Sequence, residues 1–232
     1  MVECPECGEE YQKLGLHWYY SPSHRPELTQ KQLEITTGLL MGDGSISKQS
    51  KNCYLQLQMI SPKYLEYLDN IFACLGTGVS LVETAYESAK NDRDGKFSPN
   101  IKEENYSDVY GWGTRSHPKF NEFCGWYSSG EKVWPENIEL TPTVLKHWYV
   151  GDGHYDDSYG QNHIDIAMFN EVENTEKVSQ YFIKSGLPKP SSYYKQKNSC
   201  KARWTVEDSY KLWDYMGEPL PDFEYKWPEE YR

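Results

Sequence analysis

The chain has 232 residues, which is enough to bury a substantial hydrophobic core as one domain or as two small ones. Its formal net charge is −11, and such an excess of acidic side chains usually argues against a nucleic-acid partner. This objection weakens at very high salt, because counterion release then contributes little to DNA binding and a hydrated acidic surface keeps a protein soluble. The charge therefore suggests a halophilic source.

No run of the sequence approaches the length of a membrane span, and the first ten residues, MVECPECGEE, are acidic rather than apolar. We therefore expect a cytoplasmic protein that has no membrane partner. Four of the six cysteines stand singly in apolar or strand-like surroundings. Without a secretion signal, this pattern predicts buried thiols at Cys53, Cys74, Cys124 and Cys200.

The first 26 residues contain a group of potential metal ligands. The sequence CPECG is typical of a zinc knuckle, since two thiolates three residues apart around a tight turn can hold one tetrahedral ion. His17 and His24 could complete a Cys₂His₂ site with Cys4 and Cys7, although their spacing differs from that of the usual finger. So short a segment has little core, and a bound metal would explain its folding; two free thiols are the alternative. We predict that residues 1–26 are a zinc-binding segment.

Two longer stretches of the chain begin in the same way, with Glu-Leu-Thr. Thr29 and Thr141 can each cap a helix; the first helix adds Gln32 in a capping-box arrangement, and the second adds Pro142 at its first position. Both apolar helical runs end in Gly-Asp-Gly, within GLLMGDGSIS and HWYVGDGHYD. An aspartate in the last helical turn faces the negative end of the helix dipole, so stability alone would not select it twice. A single copy could be a plain helix end, but two copies in one context indicate function.

The elements that follow each Gly-Asp-Gly also repeat. An alternating strand begins 12 residues after each aspartate, at Leu55 and at Ile164. A helix, further strands and a short helix then follow, at 62–75, 106–116 and 117–127 in the first half and at 171–185, 192–206 and 207–216 in the second. A polar insertion at about 83–105 is predicted to be a loop.

This duplication predicts an α+β fold. The order helix, two strands, helix, two strands, helix occurs twice, which gives two pseudo-symmetric αββαββα half-domains at 27–138 and 139–232. Each half closes on a similar phrase, KVWPE from Lys132 and KWPE from Lys226.

Packing of the two opening helices against each other would bring Asp43 and Asp152 together. Gly38, Gly42 and Gly151 would let the two backbones approach closely. Two carboxylates at close range repel each other, so unless one is protonated a cation must lie between them, and all-oxygen ligation suits Mg²⁺. Such an ion could activate a water and stabilise the leaving oxygen of a phosphoryl displacement. One aspartate from each half suits cleavage of both strands of a duplex.

The two Gly-Asp-Gly motifs and the repeated Lys-(Val)-Trp-Pro phrase resemble the paired motifs of the LAGLIDADG homing endonucleases, in their single-chain, two-motif form. The resemblance covers about residues 27–232, and the acidic charge suggests a haloarchaeal or haloviral member. The resemblance implies that Asp43 and Asp152 are catalytic residues. It also implies that these aspartates bind Mg²⁺ and that Gly42 and Gly151 contribute to the same metal site. Mn²⁺ is expected to substitute for Mg²⁺.

The same resemblance implies that Lys132 and Lys226 lie near the cut phosphates, although solvated lysines beside a Trp-Pro corner are an equally simple interpretation. It also implies that a monomer places two curved sheets as a DNA-binding saddle over a long, imperfectly palindromic double-stranded site and leaves short 3′ overhangs. His147 stands where the family commonly has a small residue, and we interpret it as a packed interface histidine.

Strand alternation predicts which side chains meet DNA, because alternate residues of a half-buried strand face away from the core. Gln and Arg can read adenine and guanine in the major groove, and Lys can contact phosphates. The candidates are Gln56, Gln58, Arg115, Lys195, Lys197, Lys201 and Arg203. An ordinary polar sheet face is the alternative interpretation.

The leading hypothesis is thus a site-specific, Mg²⁺-dependent double-strand DNA endonuclease of a mobile genetic element. Two other classes stay open. One is a DNA-binding regulator or RNA-splicing maturase that keeps the fold without the cleavage chemistry, and the other is a protein-interaction module, which the acidic surface would tolerate. The presence of both aspartates favours the enzyme.

Overall fold

Helices and antiparallel strands alternate along the chain in the computed structural model, which describes residues 1–49, 51–94, 103–128, 131–168, 174–196 and 199–232. The first elements are β1 (Val2–Glu3), β2 (Glu10–Tyr11), α1 (Leu14–Tyr20), α2 (Gln30–Met41), β3 (Ser45–Gln49), β4 (Asn52–Met59), α3 (Pro62–Phe72), β5 (Ser80–Glu83), α4 (Ala85–Asp94) and β6 (Val109–Gly113). They are followed by β7 (Tyr127–Ser128), β8 (Glu131–Lys132), α5 (Pro142–Asp152), β9 (Gly153–Asp156), β10 (His163–Ala167), α6 (Thr175–Lys184), β11 (Ser192–Gln196), β12 (Ser199–Arg203) and α7 (Val206–Met216). The predicted mixed helix and sheet class is confirmed.

The chain divides into two compact units that do not follow the repeat. The first unit comprises Met1–Leu28 and Ile46–Phe120, and the second comprises Thr29–Ser45 and Asn121–Arg232. Helix α2 and its Gly-Asp-Gly therefore belong to the same unit as α5. The half-domain boundaries predicted after residues 26 and 138 stay predictions.

The second unit contains the complete predicted series α5, β9, β10, α6, β11, β12 and α7. Its strands form a four-stranded antiparallel sheet in the order β11-β12-β10-β9. Ile164, Ile166 and Ala202 are buried, as is Trp204 just after β12. Helix α2 packs along α5 in this unit, so the two Gly-Asp-Gly ends lie within one body.

The first unit contains the sheet β3-β4-β6-β5 and helix α3. Leu55 and Leu57 of β4 are buried and Gln58 is exposed, in agreement with the alternation in the sequence. The loop predicted at 83–105 is wrong in part, because α4 occupies the first half of this insertion. Thr84 and Glu87 exchange hydrogen bonds as a capping box, a start signal that the polar composition of the insertion obscured.

The predicted caps of the two paired helices are confirmed. Thr29 Oγ1 accepts a hydrogen bond from the Gln32 backbone N–H at 3.2 Å, and Gln32 Oε1 accepts one from the Thr29 N–H at 2.8 Å. Thr141 Oγ1 accepts from the Val144 N–H at 3.2 Å, with Pro142 at the first helical position. Both helix starts are thereby fixed by local chemistry.

The prediction of buried thiols is confirmed for one of the four cysteines. Cys200 is buried and forms no disulfide bond, whereas Cys74 forms no disulfide bond but is only partly buried. Cys53 and Cys124 are disulfide-bonded, so the prediction of thiols is wrong for them. The sequence around a single cysteine does not reveal whether a second sulfur lies within bonding distance in space. Across the described residues, no helix has the length and apolar character needed to span a membrane.

Candidate functional site

Helices α2 and α5 contact each other through glycines. A Cβ atom added at Gly38 would lie 2.5 Å from the Val144 carbonyl oxygen and 2.8 Å from the His147 Cβ, closer than real side chains approach. A Cβ added at Gly151 would lie 3.3 Å from the Gly42 Cα. His147 is buried in this helix pair, and burial lowers its pKa to about 3, which keeps the imidazole neutral. The observed backbone approach therefore depends on residues without side chains.

Asp43 and Asp152 lie at the carboxyl ends of this helix pair. Asp43 follows Gly42, the C-cap of α2, and Asp152 is the last residue of α5. The Oδ2 atom of Asp43 would lie 3.5 Å from a Cβ added at Gly151, so the carboxylate of one motif borders the backbone of the other. Asp43 is exposed, whereas Asp152 is half-buried. The structure thus brings together the two residues predicted to be catalytic.

The two aspartates differ in their electrostatic surroundings. The pKa of Asp152 is raised to about 7; desolvation is the largest cause, the negative charge of Asp43 acts in the same direction, and the ammonium of Lys132 opposes the shift. At neutral pH the Asp152 carboxylate is therefore held in an environment that disfavours its charge. A cation placed between the carboxylates would relieve both causes of the shift.

Each helix end also receives one lysine. Lys132 Nζ donates to the carbonyl oxygens of Gly42 at 2.7 Å and Gly44 at 2.9 Å. Lys226 Nζ donates to the Val150 oxygen at 2.7 Å and lies 3.4 Å from the Gly151 oxygen. Lys226 is buried, and desolvation lowers its pKa to about 8 against the opposing effect of the two aspartates. Desolvation lowers the pKa of Lys132 in the same way.

The donor set at this site fits a hard divalent cation. It consists of two carboxylates and the adjoining carbonyl oxygens of Gly42 and Gly151, which are the ligand types that Mg²⁺ and Mn²⁺ prefer. Both carbonyls already face a lysine ammonium, but a carbonyl oxygen has a second lone pair.

Trp148 is a neighbour of Asp152 that the sequence analysis missed. Its indole nitrogen is buried and has no hydrogen-bond partner of normal geometry among the described residues, and its N–H favours the charged form of Asp152. Trp148 stands four residues before Asp152 on α5, so the two side chains share a helix face. That spacing was the available signal in the sequence.

The predicted base-reading residues of the first unit have different surroundings. Gln58 is exposed on β4, and Gln56 Nε2 donates to Ser47 Oγ at 3.1 Å. Arg115 Nη1 donates to the backbone oxygen of Cys74 at 2.8 Å and also to that of Gly76. Arg115 therefore anchors the chain segment that follows α3.

In the second unit, Arg203 takes part in an ion-pair cluster on the polar side of the sheet. Its Nε and Nη2 atoms each lie 2.7 Å from an oxygen of Asp165, the residue opposite Arg203 in the strand pairing, and Nη2 also contacts Asp156. Lys201 Nζ lies 3.5 Å from Asp165 and is half-exposed. Asp165 was missed, although an aspartate within the apolar strand sequence HIDIA was a signal for a buried charge. Lys195 is exposed, and Lys197 lies outside the described residues.

The four predicted zinc ligands also come together. The ligand atoms of Cys4, Cys7, His17 and His24 all lie within 4.8 Å of one another. Burial raises the pKa of the Cys4 thiol, but hydrogen bonds, chiefly from the backbone N–H groups of Cys7 and Glu6, lower it, so that the net shift is downward. This Cys/His cluster lies in the first unit, whereas both aspartates lie in the second.

Comparison with known proteins gives a consistent assignment. A family model described as "LAGLIDADG DNA endonuclease family" matches residues 33–200. The homing endonuclease I-WcaI, solved bound to its DNA recognition sequence, is 17% identical with a TM-score of 0.69, over 96% of this chain and 95% of that chain. The N-terminal LAGLIDADG domain of DUF199/WhiA is 11% identical with a TM-score of 0.47, over 96% and 98%. I-DmoI in complex with DNA and Mn is 12% identical with a TM-score of 0.45, over 80% and 96%.

At 17% identity the likeness to I-WcaI shows the fold alone, and no curated protein sequence gives a significant match. The family model, however, spans well over half of the chain and includes both Gly-Asp-Gly motifs. The chain therefore belongs to the LAGLIDADG DNA endonuclease family.

Proposed function

We propose that the chain is a site-specific, Mg²⁺-dependent double-strand DNA endonuclease of the single-chain, two-motif type, acting as a monomer. The observation that carries the proposal is the meeting of Asp43 and Asp152 at one end of the α2–α5 pair, with a lysine at each helix end. In a purely structural helix pair, two acids at this position would only be destabilising.

In this proposal Asp43, Asp152 and the carbonyl oxygens of Gly42 and Gly151 hold the divalent cation, which is Mg²⁺ or Mn²⁺. The chemistry that such an ion would supply is activation of a water and stabilisation of the leaving oxygen of the cleaved phosphodiester. Lys132 and Lys226 present their Nζ atoms beside the aspartates, where a positive charge would stabilise the charge that develops on a phosphate. Zn²⁺, by contrast, is proposed only for the Cys/His cluster.

The DNA would contact the polar face of each sheet and would contain a long, imperfectly palindromic site. Solvent-accessible polar side chains on these faces support this substrate class: Gln58, Lys195 and Lys201 are exposed or half-exposed. Gln56, Arg115, Lys197 and Arg203 complete the proposed contacts. The shared fold with I-WcaI, which was solved on its recognition sequence, supports the same substrate. We further propose cleavage that leaves short 3′ overhangs, a cytoplasmic location, a mobile element as the genetic context, and half-domains at 27–138 and 139–232.

The experiment that tests the proposal is cleavage of a randomised duplex library with Mg²⁺, from low to molar KCl. The salt series is needed because a net charge of −11 opposes DNA binding at low salt, and because activity restricted to high salt would support a halophilic source. The variants are Asp43→Asn and Asp152→Asn, and the matched control is Asp157→Asn, an exposed aspartate five residues beyond the site.

We expect discrete cuts with 3′ overhangs by the wild type and by Asp157→Asn, and none by the two site variants. Selective binding without cleavage would overturn the nuclease and leave a DNA-binding regulator. Selective binding of structured RNA in place of duplex DNA would identify a maturase. If neither nucleic acid is bound at any salt concentration, a protein-interaction module becomes the better assignment.

A further inference from the structure

The Cys/His cluster has the dimensions of a metal site. Cys7 Sγ lies 3.7 Å from His17 Nε2, and His17 Nε2 lies 3.1 Å from His24 Nδ1. In a tetrahedral site with Zn–S of about 2.3 Å and Zn–N of about 2.0 Å, the donor atoms are separated by roughly 3.3–3.8 Å. These two distances are close to what a single zinc ion requires, and all four ligand atoms lie within 4.8 Å of one another.

Local structure fixes the donors in this arrangement. The Gly8 backbone N–H donates to the Cys4 carbonyl at 2.8 Å, and Gly8 adopts a φ of 72°, which closes the tight turn between the two cysteines. The ring of Tyr11 stacks on that of His17 with a centroid separation of 3.9 Å. His17 and His24 are carried by α1 and by the short 3₁₀ helix Pro22–His24. The position of each donor atom is thus determined by a turn or helix that has its own hydrogen bonds.

The segment that carries the cluster has little else to hold it together. Within Met1–Leu28, the buried apolar side chains are those of Cys4, Leu14 and Trp18. The regular structure there consists of two strands of two residues each, β1 and β2, the seven-residue helix α1 and one short 3₁₀ helix. A core of this size does not stabilise a segment by itself, and small segments of this kind usually depend on a metal or on disulfides.

We propose that Cys4, Cys7, His17 and His24 form a closed, structural Zn²⁺ site that folds residues 1–28, separate from the nuclease site. Two thiolates and two neutral imidazoles make a soft, electrically balanced donor set for Zn²⁺ and a poor one for Mg²⁺. Four protein ligands leave no open position for a substrate, which makes the ion structural rather than catalytic. The family match begins at residue 33, so this site lies outside it.

The test uses the full chain and does not depend on DNA cleavage. Metal content is measured by elemental analysis after expression with Zn²⁺, and the site is then refilled with Co²⁺, whose visible spectrum distinguishes tetrahedral thiolate ligation. Hydrogen exchange is followed with and without a chelator. The site variants are Cys7→Ser and His24→Asn, with Cys74→Ser and His154→Asn as matched controls, since Cys74 is a free thiol and His154 is exposed outside the cluster.

We expect about one Zn²⁺ per chain in the wild type and both controls, a thiolate-to-Co²⁺ absorption band, and loss of both in Cys7→Ser and His24→Asn. Removing the metal should speed hydrogen exchange in residues 1–28 by at least about tenfold and leave α5 unchanged. The proposal is overturned if the wild type binds neither Zn²⁺ nor Co²⁺. It is equally overturned if a Cys4–Cys7 disulfide forms in place of the metal site, or if the rate of hydrogen exchange in residues 1–28 is the same with and without the chelator.

Discussion

Lys132 and Lys226 make corresponding contacts at the ends of the two paired helices. Lys132 Nζ donates to carbonyl oxygens at the end of α2, and Lys226 Nζ to those at the end of α5, with closest distances of 2.7 Å in both cases. Tyr149 of α5 donates its hydroxyl to the Lys226 carbonyl at 2.7 Å and so holds that lysine in place. An ammonium at the negative end of a helix is stabilising, and it offsets the unfavourable position of the neighbouring aspartate.

We predict that Lys132→Met and Lys226→Met fold but cleave poorly. Methionine keeps most of the buried volume while removing the charge, and loss of one group that stabilises developing charge typically lowers a rate about 10²- to 10³-fold. Single-turnover cleavage and DNA affinity should be measured together, since affinity is expected to change much less than the cleavage rate. Lys184→Met, at an exposed position, is the control and should cleave normally. Wild-type cleavage rates in both site variants would mean that the two lysines only cap the helix ends and do not contribute to cleavage.

Asp152 should give the protein a distinct pH dependence of stability. Its pKa is about 7 in the folded protein, against an unfolded value near 3.8, so the folded state binds the proton more tightly. The resulting stabilisation is fully present below about pH 4 and is lost as the pH rises through 7. Asp152→Asn should therefore raise the free energy of unfolding by about 2–4 kcal/mol at pH 8, without added Mg²⁺, and by little at pH 4.

The measurement is urea unfolding of wild type and variant between pH 4 and 8. His147, with a folded pKa near 3, has the opposite slope in this window, but it is present in both proteins and cancels in the difference. Lys226, with a folded pKa near 8, contributes mainly above this window. Asp43→Asn is the matched control, because Asp43 is exposed and should show a smaller gain. A difference between Asp152→Asn and wild type that does not change with pH would contradict the assignment.

The sequence predicted the elements that local chemistry determines. The Thr29 and Thr141 caps, the alternation around Leu55 and Ile164, and the second-half order of helices and strands all follow from short-range patterns, and the structure has them. The convergence of Asp43 and Asp152 was predictable for a different reason, because the duplication required equivalent helices to pack in equivalent ways.

What could not be predicted depends on neighbours distant in the sequence. The sequence does not indicate that Arg115 binds the backbone oxygens of Cys74 and Gly76, since the acceptors are 41 and 39 residues away. The disulfide bonding of Cys53 was hidden for the same reason. The carbonyl contacts of the two lysines are likewise long-range and emerge only once the helices are placed.

Among the glycines at which α2 and α5 face each other, Gly38 should be the least tolerant of substitution. A Cβ there would meet the Val144 carbonyl oxygen at 2.5 Å, and because this is a backbone atom it cannot move unless the helices separate. We expect Gly38→Ala to destabilise the protein by about 1–3 kcal/mol and to lower cleavage further by shifting the aspartates. Gly125→Ala is the control, since a Cβ there meets no atom of the described part of the chain within 4 Å. Equal thermal stability of the two variants would mean that the helices do not pack this closely.

Arg203 was predicted to read DNA, and its ion pairs predict an effect on folding as well. Asp165 is 0% exposed, and Arg203 supplies its two closest cationic contacts. Arg203→Met would leave a buried charge without its main partner, which typically costs about 3–5 kcal/mol of unfolding free energy. Adding Asp165→Asn should recover most of that loss, because the uncompensated charge is then removed.

Lys201→Met is the matched control, because Lys201 is half-exposed and 3.5 Å from Asp165, and it should cost at most about 1 kcal/mol. Urea unfolding measures the folding role of Arg203. DNA-binding titrations, at a salt concentration where every variant is folded, measure its role in DNA contact. If the double variant is stable but binds DNA weakly, Arg203 both balances Asp165 and contacts DNA. If Arg203→Met unfolds at the same urea concentration as Lys201→Met, the buried Asp165 carboxylate does not depend on Arg203 for its stability, and the predicted folding role of Arg203 is contradicted.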